Sequence, residues 1–104
     1  MMEKPDPVQA EKYFRAALDR KATFGGALIR MSDLKFKEDD FLSARAFMQR
    51  YLSSNVPSPD VLYLAYQIED SLGDQRERTE YSNRLLREFP QSAEAKKVLE
   101  SYSQ

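Results

Sequence analysis

Apolar positions along the chain recur at helical spacing, and the whole pattern recurs after about 34 residues. Shifted by that interval, Tyr13 falls on Phe47 and Tyr81, Ala17 on Tyr51 and Leu85, and Leu18 on Leu52 and Leu86. Leu28 falls on Leu62, and Met31 on Ala65 and Leu99. Phe14 falls on Met48 and Ala10 on Ala44, but the third copies, Ser82 and Arg78, break the pattern. Size and polarity classes repeat while the charges between them drift. A repeated core under an unconstrained surface has that signature.

Within one period the stripes predict two helices. Leu28, Met31 and Leu34 share a face, widened by Ile29 and Phe36. Ala44, Phe47, Met48, Tyr51 and Leu52 follow at i, i+3, i+4, i+7 and i+8. Leu62, Ala65, Ile68, Glu69 and Leu72 open the next period, and Tyr81, Leu85, Leu86 and Phe89 complete it. The boundaries agree. Asp6-Pro7-Val8-Gln9 and Ser58-Pro59 read as N-caps followed by proline at the first helical position. Asp74 to Glu77 reads as a capping box, and Leu72-Gly73-Asp74 joins a helix stop to the next start. Val56-Pro57 and Phe89-Pro90 end helices, because proline disfavours helical backbone in the residue before it. The reading is all-α, with six helices near 7–21, 25–37, 40–54, 59–72, 75–88 and 92–102 and no strand.

Composition narrows the chemistry. The 104 residues suffice for one domain with a real core, and 41% hydrophobic against 32% charged residues describes a globular chain. Cysteine and histidine are absent, which excludes disulfides, thiolate–imidazole zinc sites, a cysteine nucleophile and a Ser-His-Asp triad. No cofactor is expected. The first fifty residues carry ten basic and eight acidic side chains and the rest six and nine, so neither half has the one-signed field of a nucleic-acid binder. The longest apolar run, Val61–Ala65 extended by Tyr66, is far short of the roughly 20 residues of a membrane span. Met1-Met2-Glu3-Lys4-Pro5 has neither the apolar core of a signal peptide nor a lipidation cysteine. The doubled Met reads as a start codon added to a fragment, with residues 1–6 disordered or added sequence.

A helix–turn–helix period of this length resembles the tetratricopeptide repeat. With Gly73-Asp74 on that motif's turn, its signature positions in the first helix fall on Leu62, Ala65 and Tyr66, and one period earlier on Leu28, Met31 and Ser32. Its small residue in the second helix falls on Ala10 and Ala44, and its large residue four on falls on Phe14 and Met48. Its second small position falls on Ala17, with Tyr51 and Leu85 departing, and its terminal proline on Ala22, Val56 and Pro90. A narrower likeness lies in Gln67-Ile68-Glu69, Leu72-Gly73-Asp74, Tyr81, Leu85, Arg87, Phe89-Pro90, Ser92 and Glu94-Ala95. That stretch, with Ala44-Arg45 and Gln49-Arg50-Tyr51-Leu52, is similar to the C-terminal repeats of the type IV pilus biogenesis/stability lipoproteins, the PilF/PilW-type pilotins. The likeness covers most of residues 10–96. Arg78-Thr79 departs from the family's small residues, and Asp39 stands where a turn glycine is usual.

The resemblance implies an α-solenoid of antiparallel helix pairs: residues 7–102 as one domain of about two and a half repeats plus a capping helix. It also implies a non-catalytic scaffold at the periplasmic face of the outer membrane that promotes secretin assembly, the partner being a secretin subunit. The alternative is a generic tetratricopeptide module in the cytoplasm with another peptide partner. An encoded lipobox cysteine upstream separates the two. The chain opens on a second-type helix, so Tyr13, Phe14, Ala17 and Leu18 are expected to form an exposed apolar flank that pairs with upstream repeats or a second copy. The last helix, with Glu94, Lys96, Lys97 and Glu100 around Val98 and Leu99, has the polar face of a terminal cap.

In such a solenoid the first helices line a groove. The inward positions are Gly26, Ile29, Asp33, Phe36 and Lys37, then Asp60, Tyr63, Gln67, Asp70 and Ser71. Ile29, Phe36 and Tyr63 offer apolar contact, and Asp33, Gln67 and Asp70 offer hydrogen bonds, to an extended or helical peptide; the same residues also suit packing on neighbouring helices. A carboxylate clamp is excluded, because Ile29, Asp33, Asp60 and Leu64 occupy its positions and the two acids repel an anion. Glu38-Asp39-Asp40 reads as a helix start rather than a metal site. Glu69, Asp70, Glu77 and Glu80 read as solvated faces or as partners of Arg76, Arg84 and Arg87, rather than as catalytic carboxylates. Gly25-Gly26 is expected to let helices approach closely, and Tyr13, Tyr51, Tyr66 and Tyr81 to be core rather than a base-stacking ladder.

Overall fold

The computed structural model describes residues 25–102. The predicted helix at 7–21, with its flank residues Tyr13, Phe14 and Leu18, lies outside them. Five helices occupy the described residues: α1 Gly25–Lys37, α2 Phe41–Ser54, α3 Pro59–Leu72, α4 Gln75–Glu88 and α5 Ala93–Tyr102. No strand occurs among these residues. The chain divides into two compact units between Asn55 and Val56. The first holds the α1–α2 hairpin and the second the α3–α4 hairpin with α5.

The two hairpins turn in the same way, one repeat period apart. At the end of α1 the Asp40 N–H reaches back to the Lys35 carbonyl at 2.8 Å and the Asp39 N–H to Phe36 at 3.0 Å. At the end of α3 the Asp74 N–H reaches Glu69 at 3.0 Å and the Gly73 N–H reaches Asp70 at 3.1 Å. This is the Schellman arrangement, which satisfies helix carbonyls that would otherwise lack partners. It needs a left-handed residue at its centre. Gly73 supplies one at φ 75°, and Asp39 supplies the other at φ 61°. Short polar aspartate tolerates that region better than most residues, so the missing turn glycine did not remove the turn. The aspartate that ends each turn then starts the next helix. Asp40 accepts from the Ser43 N–H at 3.3 Å, and Asp74 from the Glu77 N–H at 3.1 Å. The forward half of the expected capping box forms, and the Asp74 N–H bonds the Glu69 carbonyl. Asp40 itself is the cap, and α2 begins one residue later than predicted.

Other boundaries follow backbone chemistry with two corrections. Ser58 precedes Pro59 at the start of α3, but its hydroxyl bonds the Asp60 carboxylate instead of a helix N–H. Proline at the first helical position loses nothing by lacking an N–H, and the Asp60 carboxylate holds the hydroxyl away from the N–H groups that a cap would bond. Ser92 lies before α5 rather than in it. Its Oγ accepts from the Ala95 N–H at 3.0 Å and donates to the Phe89 carbonyl at 2.7 Å.

The core of the first unit is Ala27, Leu28, Met31 and Phe47, with Leu34 and Tyr51 packed against it. Ala44 is fully buried, and the Ser32 hydroxyl donates to its carbonyl at 2.9 Å, which ties α1 to α2. Gly25 admits a close approach as expected: a β-carbon there would meet Asn55 Oδ1 at 3.0 Å and Tyr51 Cε2 at 3.2 Å. Gly26 has open space around it and plays no such part. In the second unit Val61, Leu62, Ala65 and Ile68 of α3 are buried, with Tyr81 and Leu85 of α4 and Ala95 and Val98 of α5. Full burial of such an aliphatic side chain contributes about 1.5–3 kcal/mol. Leu52 and Leu86 are only half-buried, because each lies at the edge of its stripe.

The two positions that broke the sequence repeat have structural reasons. Ser82, in the place of Met48, is fully buried and donates to the Thr79 carbonyl at 2.9 Å. Its small side chain lets the Tyr102 hydroxyl of α5 come within 2.5 Å. Arg78, in the place of Ala44, is half-buried and bonds Asp70 at 2.9 Å across the hairpin.

Candidate protein-binding surface

Repeat position fixes which side chains share a stripe on the first helix of each hairpin. On α1 the stripe contains Ile29, Asp33 and Phe36, all half-buried. Asp33 is bonded to Lys37 at 2.9 Å, one turn on, and the Phe36 ring packs on Phe41 with centroids 5.6 Å apart. On α3 the corresponding stripe contains Tyr63, Gln67 and Asp70, the first two half-buried and Asp70 exposed. Tyr63 stacks on Tyr66 with ring centroids 5.9 Å apart and planes 22° apart. Lys97 of α5 lies over the Tyr63 ring, its Nζ 5.3 Å from the centroid. Lys97 stands one period after Tyr63, so the repeat itself brings these neighbours together. The Tyr66 hydroxyl meets Ser101 at 3.3 Å, again on α5. The sequence pattern marks Tyr63 for this surface but not Lys97, Tyr66 or Ser101. A signal for two of them exists: one further period from Tyr63 and Gln67 lands on Lys97 and Ser101.

Several of the charges settle into local pairs. Asp70 pairs with Arg78, and the Asp70 bond raises the pKa of the Arg78 guanidinium above its ordinary value. Arg84 and Arg87 pair with Glu88 at 3.0 and 3.8 Å. The Arg84 bond holds the Glu88 carboxyl below the ordinary glutamate value. Helical spacing explains the choice of Glu88, which lies four residues after Arg84 on the same face. Glu38, Asp39 and Asp40 do not converge. Glu38 bonds Lys35 at 3.4 Å, Asp39 forms the left-handed turn and Asp40 caps α2. The Asp40 carboxyl is held below its ordinary value, chiefly by its hydrogen bond with Ser43. No group of three or more acids among the described residues could hold a metal ion. A shallow pocket of about 200 Å³ lies at the α3–α4 turn, lined by Glu69, Asp70, Gly73, Asp74, Gln75 and Arg78.

No family model matches the chain. No curated protein matches it either. Solved structures do. One is PilF of Pseudomonas aeruginosa, with a TM-score of 0.80 at 23% identity over 91% of this chain. Another is PilW, described as a widely conserved type IV pilus biogenesis factor, with a TM-score of 0.83 at 28% identity over 89% of this chain. The fold is tetratricopeptide-like. The matched region spans 43% of the length of each neighbour. The expected all-α, paired-helix architecture and the likeness to the PilF/PilW proteins are therefore both found in three dimensions. Among the described residues no helix is long and apolar enough to cross a membrane.

Proposed function

We propose that the chain is a non-catalytic protein-interaction scaffold, part of a pilotin-like protein of type IV pilus biogenesis that promotes secretin assembly at the periplasmic face of the outer membrane. The observation that carries this reading is the likeness of the two capped hairpins and α5 to PilW and PilF, over nine-tenths of this chain or close to it. The α1 and α3 stripes, with Ile29, Asp33, Phe36, Tyr63, Gln67 and Asp70, provide the partner surface in each unit. Their role is to hold side chains in fixed positions, so that a flexible partner loses entropy on docking while the scaffold loses little. Homodimerisation through Tyr13, Phe14 and Leu18 belongs to the same proposal, as a way to cover an apolar flank. Titration calorimetry of the purified chain with a purified secretin subunit tests the reading. Binding is expected, and Tyr63→Ala is expected to weaken it more than it lowers thermal stability. No heat of binding, with a folded chain, would remove the pilotin assignment.

A further inference from the structure

We propose that the Tyr63–Tyr66 face of the second unit, flanked by Asp60 and Glu94, docks a basic segment of a protein partner, and that Lys97 occupies the cation's place until the partner arrives. The proposal rests on the interaction-surface reading above and names the chemistry of what binds there. An aromatic face attracts a cation through its quadrupole, and the Tyr63 ring demonstrates this by holding Lys97 Nζ at 5.3 Å. Tyr66, stacked beside it, widens the platform. Asp60 lies one turn before Tyr63 on α3, and Glu94 lies one turn before Lys97 on α5. These two acids occupy the same repeat position on successive first-type helices.

Neither acid is neutralised by a cation among the described residues. Asp60 accepts the Ser58 hydroxyl. The other acid of the α3 stripe, Asp70, is already neutralised by Arg78. The cation that the described residues place on the tyrosine platform is Lys97, and it contacts the ring rather than a carboxylate. Residues 56–104 carry nine acidic against six basic side chains. That small acidic excess favours a basic segment over an acidic one at this face. Gln67 and Ser101, also one period apart, provide neutral hydrogen-bonding groups beside the platform.

The arrangement makes one unusual demand. If Lys97 competes with the partner for the ring, its removal must strengthen binding. Fluorescence anisotropy with labelled peptides of equal length, one Arg/Gly, one Ser/Gly and one Glu/Gly, reads this directly, with tyrosine-ring NMR shifts locating the site. The Arg/Gly peptide is expected to bind best, to shift the Tyr63 and Tyr66 resonances and to weaken with added salt. Lys97→Gln is expected to tighten it by about two- to fivefold, the size of an exposed cation–π contact. Lys96→Gln, which makes the same change in net charge on the neighbouring residue, should have a smaller effect. Asp60→Asn with Glu94→Gln should weaken binding, and Tyr63→Phe should preserve it. Weaker binding by Lys97→Gln, or an equal gain from Lys96→Gln, overturns the proposal. If the Ser/Gly or Glu/Gly peptide binds best at the tyrosines, the basic-segment proposal fails while the interaction surface stands. If no peptide moves the tyrosine resonances, both fail together.

Discussion

At the residue scale, two backbone positions carry the same geometric demand with different side chains. Gly73 and Asp39 both sit in the left-handed region at the centre of a Schellman turn. A β-carbon at Gly73 would meet nothing within 4 Å, so the cost of Gly73→Ala is one of backbone conformation alone. That cost is about 1–2 kcal/mol, measurable by urea denaturation. Asp39→Gly runs the other way and is expected to raise stability by up to about 1 kcal/mol, since it relieves the same strain. Burial separates the leucines equally well. Leu28 and Leu62 are fully buried, and truncation of either to Ala should cost roughly 2–5 kcal/mol. Half-buried Leu52 and Leu86 should lose clearly less in the same assay. The chain's periodicity places all four on apolar stripes, but a stripe has edges, and sequence does not show which members reach the centre of the contact.

At the element scale, helix ends decide where each hairpin folds back. Removing the Asp74 cap with Asp74→Ala should cost about 1 kcal/mol in thermal or urea unfolding. Asp40 makes the equivalent contact, and its pKa is depressed in the folded chain. A depressed carboxyl contributes stability above its ordinary pKa and loses it as pH falls through the folded value. The melting-temperature gap between the native chain and Asp40→Ala should therefore be present at neutral pH and close below the ordinary aspartate range. The shortest helix among the described residues, α5, has ten residues and buries only Ala95 and Val98. A helix of that length is marginal on its own. Polar contacts supplement it: Tyr66 to Ser101, Tyr102 to Ser82 and Lys97 over Tyr63. Leu99 and Tyr102 are about half exposed, beside exposed Lys96, Lys97 and Glu100. Amide exchange should be faster in α5 than in α3, and Val98→Ala should lower α5 protection about tenfold, the loss of two buried methyl-sized groups.

At the scale of the whole molecule, repetition is the organising fact. The repeat period specifies paired helices because apolar side chains at that spacing can be buried only against a neighbouring helix with the same stripe. Five predicted helices appear within one residue of their expected bounds, because proline, glycine and aspartate act on the backbone locally and need no tertiary context. Sequence by itself thus determined the all-α class, the period, the turns and the absence of thiol or imidazole chemistry. Only tertiary structure decided which charges pair, that Ser82 is buried beside Tyr102, and that Lys97 lies on the ring of Tyr63. Those outcomes depend on side chains from separate helices competing for the same few ångströms, and spacing along one helix does not resolve that competition.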